Sequence, residues 1–293
     1  MEKVLILGSS GLLGSRISGV LESKFEVVGT YFNNAHNAPK GSVHLDTSDQ
    51  GMFEEIIEKV APQFVINCIG ATSVEDCERL PEKAMLLNAI FPLRVAEASS
   101  RFKFRFLHIS TDHYGTATSE IRDELMHPIP LNSYGYSKLA GERLILNESP
   151  AALILRTNFF GISASGGHSI LDFALNALTG RSPLYGYEDV WFSPLGATQI
   201  GRLLEIALEG DITGVLNVAG TESVTKLDFL RTVAVALNLD PNLVIRANSS
   251  SFSTLVSRPT NLTLDNSKLL SLGVKLPTLR DMIDEELSYR VLA

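Results

Sequence analysis

The sequence predicts an α/β protein built on a doubly wound parallel sheet, with a smaller C-terminal lobe. Three observations predict it. Short, continuously apolar runs recur through the first half, each followed by a stretch of helical spacing. Strands covered by helices on both faces read that way, because neither face meets water. A glycine triplet, Gly8, Gly11 and Gly14, stands between the first apolar run and the first helical stretch, as in Rossmann-type dinucleotide-binding sheets. The texture changes after Arg156, where Gly, Ser and Asn gather in NFFGISASGGHS.

The elements follow in order. KVLILG is a fully buried strand and LLGSRISGVLES a helix. FEVVGTYF is the second strand and SVHLD a short third, followed by the helix QGMFEEIIEKV. QFVINCIG is the fourth strand. EKAMLLNAIFPLRVAEASS has helical spacing, but Pro92 lacks an amide hydrogen and should kink or divide it. FRFLHIS and AALILRT are the fifth and sixth strands, separated by a helix that begins near Ser133 or Tyr134. Beyond Arg156, SILDFALNALTG reads as a helix, and DVWFSPLGATQIGRLLEIAL follows it. GVLNVAG reads as a buried strand, and TKLDFLRTVAVALNL and TLRDMIDEELSYRVL as helices. The expected organisation is a dinucleotide-binding domain over residues 1–156 and a second lobe over 157–293, partly interleaved with the sheet.

Composition narrows the function. The chain has 293 residues, is 45% hydrophobic and 20% charged, and carries a net charge of −8. That balance can build a sizeable core and argues against nucleic acid as a partner, since phosphate contacts need a basic face. No window approaches a membrane span. MEKVLILGSSG does not read as a signal peptide, because its apolar run stops at Gly8. Two cysteines, Cys68 and Cys77, fit neither a disulfide framework nor a zinc pattern, and Cys68 in FVINCIG reads as a buried strand thiol. The six histidines, including His168, show no metal-binding pair on a helix, so no metal is expected. A cytoplasmic location is the expectation.

The stretch PLNSYGYSKLAGERL holds the chemistry. Pro128 and Pro130 precede two good N-cap residues, Asn132 and Ser133. On the helix that follows, residues four apart lie about 40° apart and share a face. Tyr134, Lys138 and Glu142 form a polar row; Tyr136, Ala140 and Leu144 form an apolar one, so Tyr136 is expected to pack. A phenol has a pKa of about 10, and a neighbouring ammonium lowers it, so Tyr134 beside Lys138 can exchange a proton near neutral pH. Tyr-x-x-x-Lys also occurs on plain helix surfaces, and the rest of the chain must decide.

LILGSSGLLGSRI decides in its favour. Gly8 permits the turn, Gly11 lets backbone approach a pyrophosphate, and Gly14 allows close helix–strand contact. The helix start supplies free amides and the positive end of its dipole. The spacing is G-x-x-G-x-x-G. With Tyr134-x-x-x-Lys138, HISTD at 108–112, LRTNFFG at 155–161 and SRPTNLTLDNSKL at 257–269, the chain resembles the extended short-chain dehydrogenase/reductase superfamily. Within it, the chain is most similar to the dTDP-4-dehydrorhamnose reductase family, over nearly the whole length.

The resemblance implies a reductase of a nucleotide-linked 4-keto-6-deoxy sugar, using NADP(H) or NAD(H) and serving dTDP-rhamnose biosynthesis. It implies Tyr134 as proton donor, Lys138 as the group that tunes it and holds the nicotinamide ribose, and Thr111 as the hydroxyl that polarises the carbonyl. It assigns Gly8, Ser10, Gly11, Leu12, Leu13 and Gly14 to the phosphates, and Thr30 and Tyr31 to the adenosine side. Asp46 and Thr47 would hold the adenine, and Cys68, Ile69 and Gly70 the nicotinamide side. Thr72, Asp112, Phe159 and Arg258 would meet the substrate. Many relatives carry an acid at the end of the second strand; GTYFNN has none, which permits NADP(H), and no arginine follows that would favour it; NADP(H) is the expectation, with NAD(H) as the alternative. Phe159 replaces a more usual tryptophan, His113 a tyrosine, and TATSEIRDELMHP departs from the usual loop. A nucleotide-sugar epimerase and a non-catalytic NADP-binding subunit, such as the regulatory subunit of methionine adenosyltransferase, share this resemblance. The expected assembly is a monomer or homodimer.

Overall fold

The computed structural model describes residues 1–115, 122–163, 169–180, 182–251 and 256–289. Part of the expected variant loop (116–121), His168 and the end of the last expected helix lie outside the described residues.

The seven-stranded sheet is ordered β11-β6-β5-β4-β1-β2-β3. Its members are β1 (Lys3–Leu7), β2 (Glu26–Tyr31), β3 (Val43–His44), β4 (Phe64–Asn67), β5 (Arg105–Ile109), β6 (Leu153–Thr157) and β11 (Gly214–Val218). Pairing is parallel from β3 to β6; Leu5 of β1 lies between Val28 of β2 and Val65 of β4. The strand order reverses between β1 and β4. In such sheets, ligands bind outside the carboxyl ends at that switch point. The chain leaves β1 into the glycine loop and β4 into Cys68–Gly70, so the topology brings those two loops side by side.

The chain divides into two compact units. The first comprises residues 1–111, 132–156 and 201–216. Its helices are α1 (Leu12–Leu21), α2 (Gln50–Val60), α3 (Val74–Arg79), α4 (Pro81–Met85), α5 (Phe91–Phe102), α6 (Ser133–Glu148) and most of α8 (Ala197–Glu209). Leu5, Leu7, Val65, Phe106 and Ile154 of the strands pack with Phe53, Ile57, Phe91 and Val95 of the helices in its core. Residues 201–216 belong here because Arg105 draws the carbonyls of Ala207 (2.7 Å), Gly210 and Ile212 (2.6 Å) to its guanidinium. They and residues 112–131 cross the 156/157 boundary drawn from the sequence.

Pro92 divides its helix as expected, and the form of the break is a π turn over Leu86–Ile90 between α4 and α5. Proline at 92 cannot bond the carbonyl of Asn88, four residues back, and its ring crowds it, so the turn widens.

The second unit comprises residues 112–131, 157–200 and 217–293. Small ladders join β7 (Phe159–Phe160) to β10 (Leu195–Gly196), β13 (Val244–Ala247) to β8 (Leu184–Tyr187), and β12 (Val224–Thr225) through β9 (Trp191–Phe192) to β14 (Asn261–Leu262). These short strands carry too few residues to show a period. The helices α7 (Ile170–Gly180), α9 (Lys226–Ala236), α10 (Ser267–Ser271) and α11 (Leu279–Ser288) complete it. Phe229 meets Phe160 at 5.1 Å and Phe192 at 5.5 Å, both edge-on, and all three rings are fully buried. Among the described residues no helix is long and apolar enough to cross a membrane, and no group of three or more His, Cys, Asp or Glu could hold a metal ion.

Candidate active site

Each glycine of the first loop has its own physical requirement. Gly8 sits at φ +83°, a conformation side chains rarely adopt. A Cβ on Gly14 would lie 2.3 Å from the Gly8 carbonyl oxygen, so α1 can approach β1 only with glycine there. Gly11 is different: its φ is −80° and a Cβ would meet nothing nearer than 3.4 Å. The local packing therefore does not require glycine at 11. Gly11 is also the N-cap of α1 and offers no side chain to the first amides of the helix, which stay available to an anion. Gly11→Val should therefore leave the melting temperature nearly unchanged and weaken NADPH binding by about a hundredfold or more, some 2.7 kcal/mol. Calorimetry giving equal affinity for variant and parent would remove the phosphate-binding role of this loop.

Thr30 is fully buried, and its Oγ1 accepts from the Gly8 amide at 3.0 Å. Its carbonyl accepts from the Ser9 amide (2.8 Å) and hydroxyl (3.0 Å). The Thr30 side chain thus also holds the glycine loop in place. Tyr31 is half-buried against His44, ring centroids 5.7 Å apart. Asp46 follows β3 and accepts from the Ser48 hydroxyl at 2.7 Å and amide at 2.9 Å, bonds that hold its carboxyl below the usual range. Thr47 beside it is half-buried.

Asn132 caps α6, accepting from the Gly135 amide at 2.9 Å. The helix then presents the reverse of the expected face. Lys138 and Glu142 are buried, at 4% and 2% exposure, while Tyr136 is 66% exposed. Tyr136 is not a packing residue: partners from elsewhere in the first unit have drawn the charged row inward. Arg156 of β6 grips Glu142 with Nη2 at 2.7 Å and Nε at 3.1 Å, and Ser110 donates to the same carboxylate at 2.5 Å. Lys138 Nζ donates to the Ile109 carbonyl at 2.8 Å. Burial pulls this ammonium down to about 8, and Glu142 one turn on pushes it back up. Tyr134, half-buried, stands one turn before Lys138, and Thr111 is buried two residues past the end of β5.

Cys68, Ile69 and Gly70 follow β4. Cys68 lies just beyond the strand and is half-buried; desolvation pushes its thiol up to about 12 despite nearby Lys138, so it is no thiolate nucleophile. Asn88, which sequence reasoning missed, ties this loop to α6. Its side chain accepts from the Ala71 amide (2.8 Å) and donates to the Ala71 carbonyl (3.0 Å) and the Ser137 hydroxyl (2.9 Å). A Cβ on Gly141 of α6 would lie 2.1 Å from the Asn88 carbonyl oxygen, so Pro92, which exempts that carbonyl from the helix ladder, and Gly141, which admits it, work together. Those two residues were the available signal.

In the second unit, Asp112 is buried and its Oδ2 accepts from Asn158 Nδ2 at 2.6 Å. Burial pushes its carboxyl up to about 6, against the pull of Asn158, Lys226 and Arg122. Burial, then Arg258, Lys226 and Arg122, bring His113 down to about 4, so it is neutral at pH 7. Phe159, in register with Leu195, is half-buried, and Arg258 is exposed. Thr72, in the first unit, is exposed.

The family model of the RmlD substrate binding domain matches residues 1–290. A probable low-salt glycan biosynthesis reductase, Agl14, of Haloferax volcanii is 29% identical over 283 residues, covering 94% of each chain. A dTDP-4-dehydrorhamnose reductase of Aggregatibacter actinomycetemcomitans is 29% identical over 286 residues, covering 92% of each. The methionine adenosyltransferase 2 subunit beta of Xenopus tropicalis is 28% identical over 287 residues, covering 93% of this chain and 83% of that one. In fold, the chain is similar to a dTDP-4-dehydrorhamnose reductase of Bacillus anthracis solved in complex with NADP, at TM-score 0.88 and 22% identity, covering 98% of this chain and 99% of that one.

Proposed function

This chain belongs to the RmlD substrate binding domain family, and on that premise we propose that it is an NAD(P)H-dependent reductase of a nucleotide-linked 4-keto-6-deoxy sugar. The observation that carries the reading is Lys138, a desolvated cation one helical turn from Tyr134 in a chain that also keeps the open glycine loop.

The residues fit a dinucleotide. The uncapped start of α1, with Ser10, Gly11, Leu12 and Leu13, takes the pyrophosphate, and Gly8, Gly14 and Thr30 shape that loop. Tyr31, Asp46 and Thr47 serve the adenosine side; Cys68, Ile69 and Gly70 serve the nicotinamide side. When bound, the nicotinamide supplies the hydride. Tyr134 gives its phenolic proton to the oxygen that was the ketone. Lys138 stabilises the phenolate left behind and, with two N–H groups beyond the one on Ile109, can also hold the ribose. The Thr111 hydroxyl donates to the developing alkoxide, as an oxyanion donor does. Thr72, Asp112, Phe159 and Arg258 meet the substrate. We place the enzyme in the cytoplasm, as a monomer or homodimer.

The test follows NADPH oxidation against a panel of nucleotide-linked 4-keto sugars; turnover of none of them would sink the reductase reading. The methionine adenosyltransferase relatives make a non-catalytic NADP-binding subunit the second reading. It predicts NADPH binding without oxidation of any panel member. Cofactor choice gives a separate prediction. With no carboxylate at the end of β2 to repel a 2′-phosphate, competition titration should show NADPH bound at least as tightly as NADH. A strong preference for NADH would mean that another acid makes the selection.

A further inference from the structure

The ladder between β1 and β4 runs as far as the Cys68 amide, which donates to the Leu7 carbonyl at 2.9 Å. The next amide, that of Ile69, lies past the strand and is taken by a side chain: it donates to Asn67 Oδ1 at 3.0 Å. Ile69 is closely packed. A Cβ on Gly8 would lie 3.0 Å from its Cγ1 and 3.3 Å from its nitrogen. On the other side, a Cβ on Gly70 would lie 3.6 Å from Lys138 Nζ. The loop Cys68–Gly70 is therefore wedged between the glycine loop and the Lys138 ammonium, and the Asn67 side chain sets where it begins.

Asn67 is in turn held by one group. It is in register with His108 of β5, and both side chains are fully buried. Asn67 Nδ2 and His108 Nδ1 lie 3.1 Å apart. A backbone amide can only donate, so Asn67 Oδ1 must face Ile69 and Nδ2 must face the ring. His108 Nδ1 then accepts, and the ring is neutral with its hydrogen on Nε2. Burial, and after it Lys138, hold the imidazole neutral, well below its usual range. Nε2 has no partner among the described residues, so the one hydrogen bond the ring makes to them goes to Asn67. From His108 the side-chain bonds lead to the Ile69 amide and nowhere else.

We infer that His108 is a positioning residue for the nicotinamide: it fixes the Asn67 amide, which fixes Ile69 and so keeps the Cys68–Gly70 loop in place between Gly8 and Lys138. The assignment rests on the NAD(P)H reading above, which puts the nicotinamide on this loop. Without the ring, the Asn67 amide can turn its Nδ2 toward Ile69, donor against donor, and the loop loses its hold.

Calorimetry tests it, with whichever of NADPH and NADH binds more tightly and with the adenosine half of that cofactor, 2′,5′-ADP or 5′-AMP. His108→Leu keeps an apolar body in the core and removes the acceptor. It should weaken the whole dinucleotide by about three- to tenfold, the scale of one hydrogen bond, and leave the adenosine half unchanged. Equal weakening of both probes would mean a merely structural role and overturn the inference, as would no weakening of either. His108→Asn, whose Oδ1 takes the place of Nδ1, should recover most of the loss. Asn67→Leu should weaken the dinucleotide at least as much as His108→Leu. The double variant should be no worse than Asn67→Leu alone, because His108 acts only through Asn67; losses that add would overturn the relay. Where His108→Leu does not fold, Asn67→Leu cuts the same relay nearer the loop and carries the same expectation. No sugar is needed, so the result is read apart from turnover. A parent that binds neither dinucleotide removes the NAD(P)H reading and this inference with it. A parent that binds, with a His108→Leu variant that binds equally, removes only the role of His108.

Discussion

Tyr134→Phe is expected to slow the single-turnover reduction of a keto-sugar by about 10²–10⁴-fold, the scale of a lost general acid, while Tyr136→Phe leaves it nearly unchanged. Both phenols lie within one turn of α6, and the structure separates them more sharply than spacing does. Tyr134 precedes buried Lys138 by four residues; Tyr136 stands 66% exposed on the outer face. Removing the Tyr134 hydroxyl keeps the ring, so the fold and NADPH affinity should hold. The pH profile follows from the same pair. Reduction needs a protonated phenol and a charged Lys138, and both protons leave as pH rises. With burial holding Lys138 at about 8, kcat/KM should fall above that pH. A damaging Tyr136→Phe would contradict the helix register, and an active enzyme indifferent to both changes would dispose of the mechanism.

Glu142→Leu should destabilise the protein by about 3–5 kcal/mol, because it leaves the buried Arg156 guanidinium without its carboxylate. That is a large part of the usual 5–15 kcal/mol of a folded domain (about 0.1 kcal/mol per residue). The change should also extend to chemistry. Glu142 supports the charge on Lys138, so its loss lowers the Lys138 pKa and moves the alkaline fall in kcat/KM to lower pH. The double change Glu142→Leu with Arg156→Met removes both charges and should regain most of the stability without regaining the pH profile. Urea denaturation read with the pH profile separates the two effects. A single variant as stable as the parent would mean that the pair does not hold β6 to α6.

The sequence by itself determined the parallel sheet, the glycine loop and the Tyr134–Lys138 spacing. Each of these is written within a few neighbouring residues. KVLILG and FRFLHIS read as strands because a two-sided burial leaves no polar position. Gly8, Gly11 and Gly14 read as a phosphate loop because the turn, the ligand's space and the helix approach fall within one short stretch. Helical geometry alone put Tyr134 and Lys138 on one face. Only the tertiary structure decided which face of α6 turns inward. By apolar content it should have been the row of Tyr136; instead Arg156 from β6 and Ser110 beyond β5 draw the charged row inside. That the Thr30 side chain supports the glycine loop likewise emerged only once β2 lay beside β1. A strand or a turn is set by local periodicity and backbone freedom, whereas the partner of a buried charge is set by which distant segments the fold brings together.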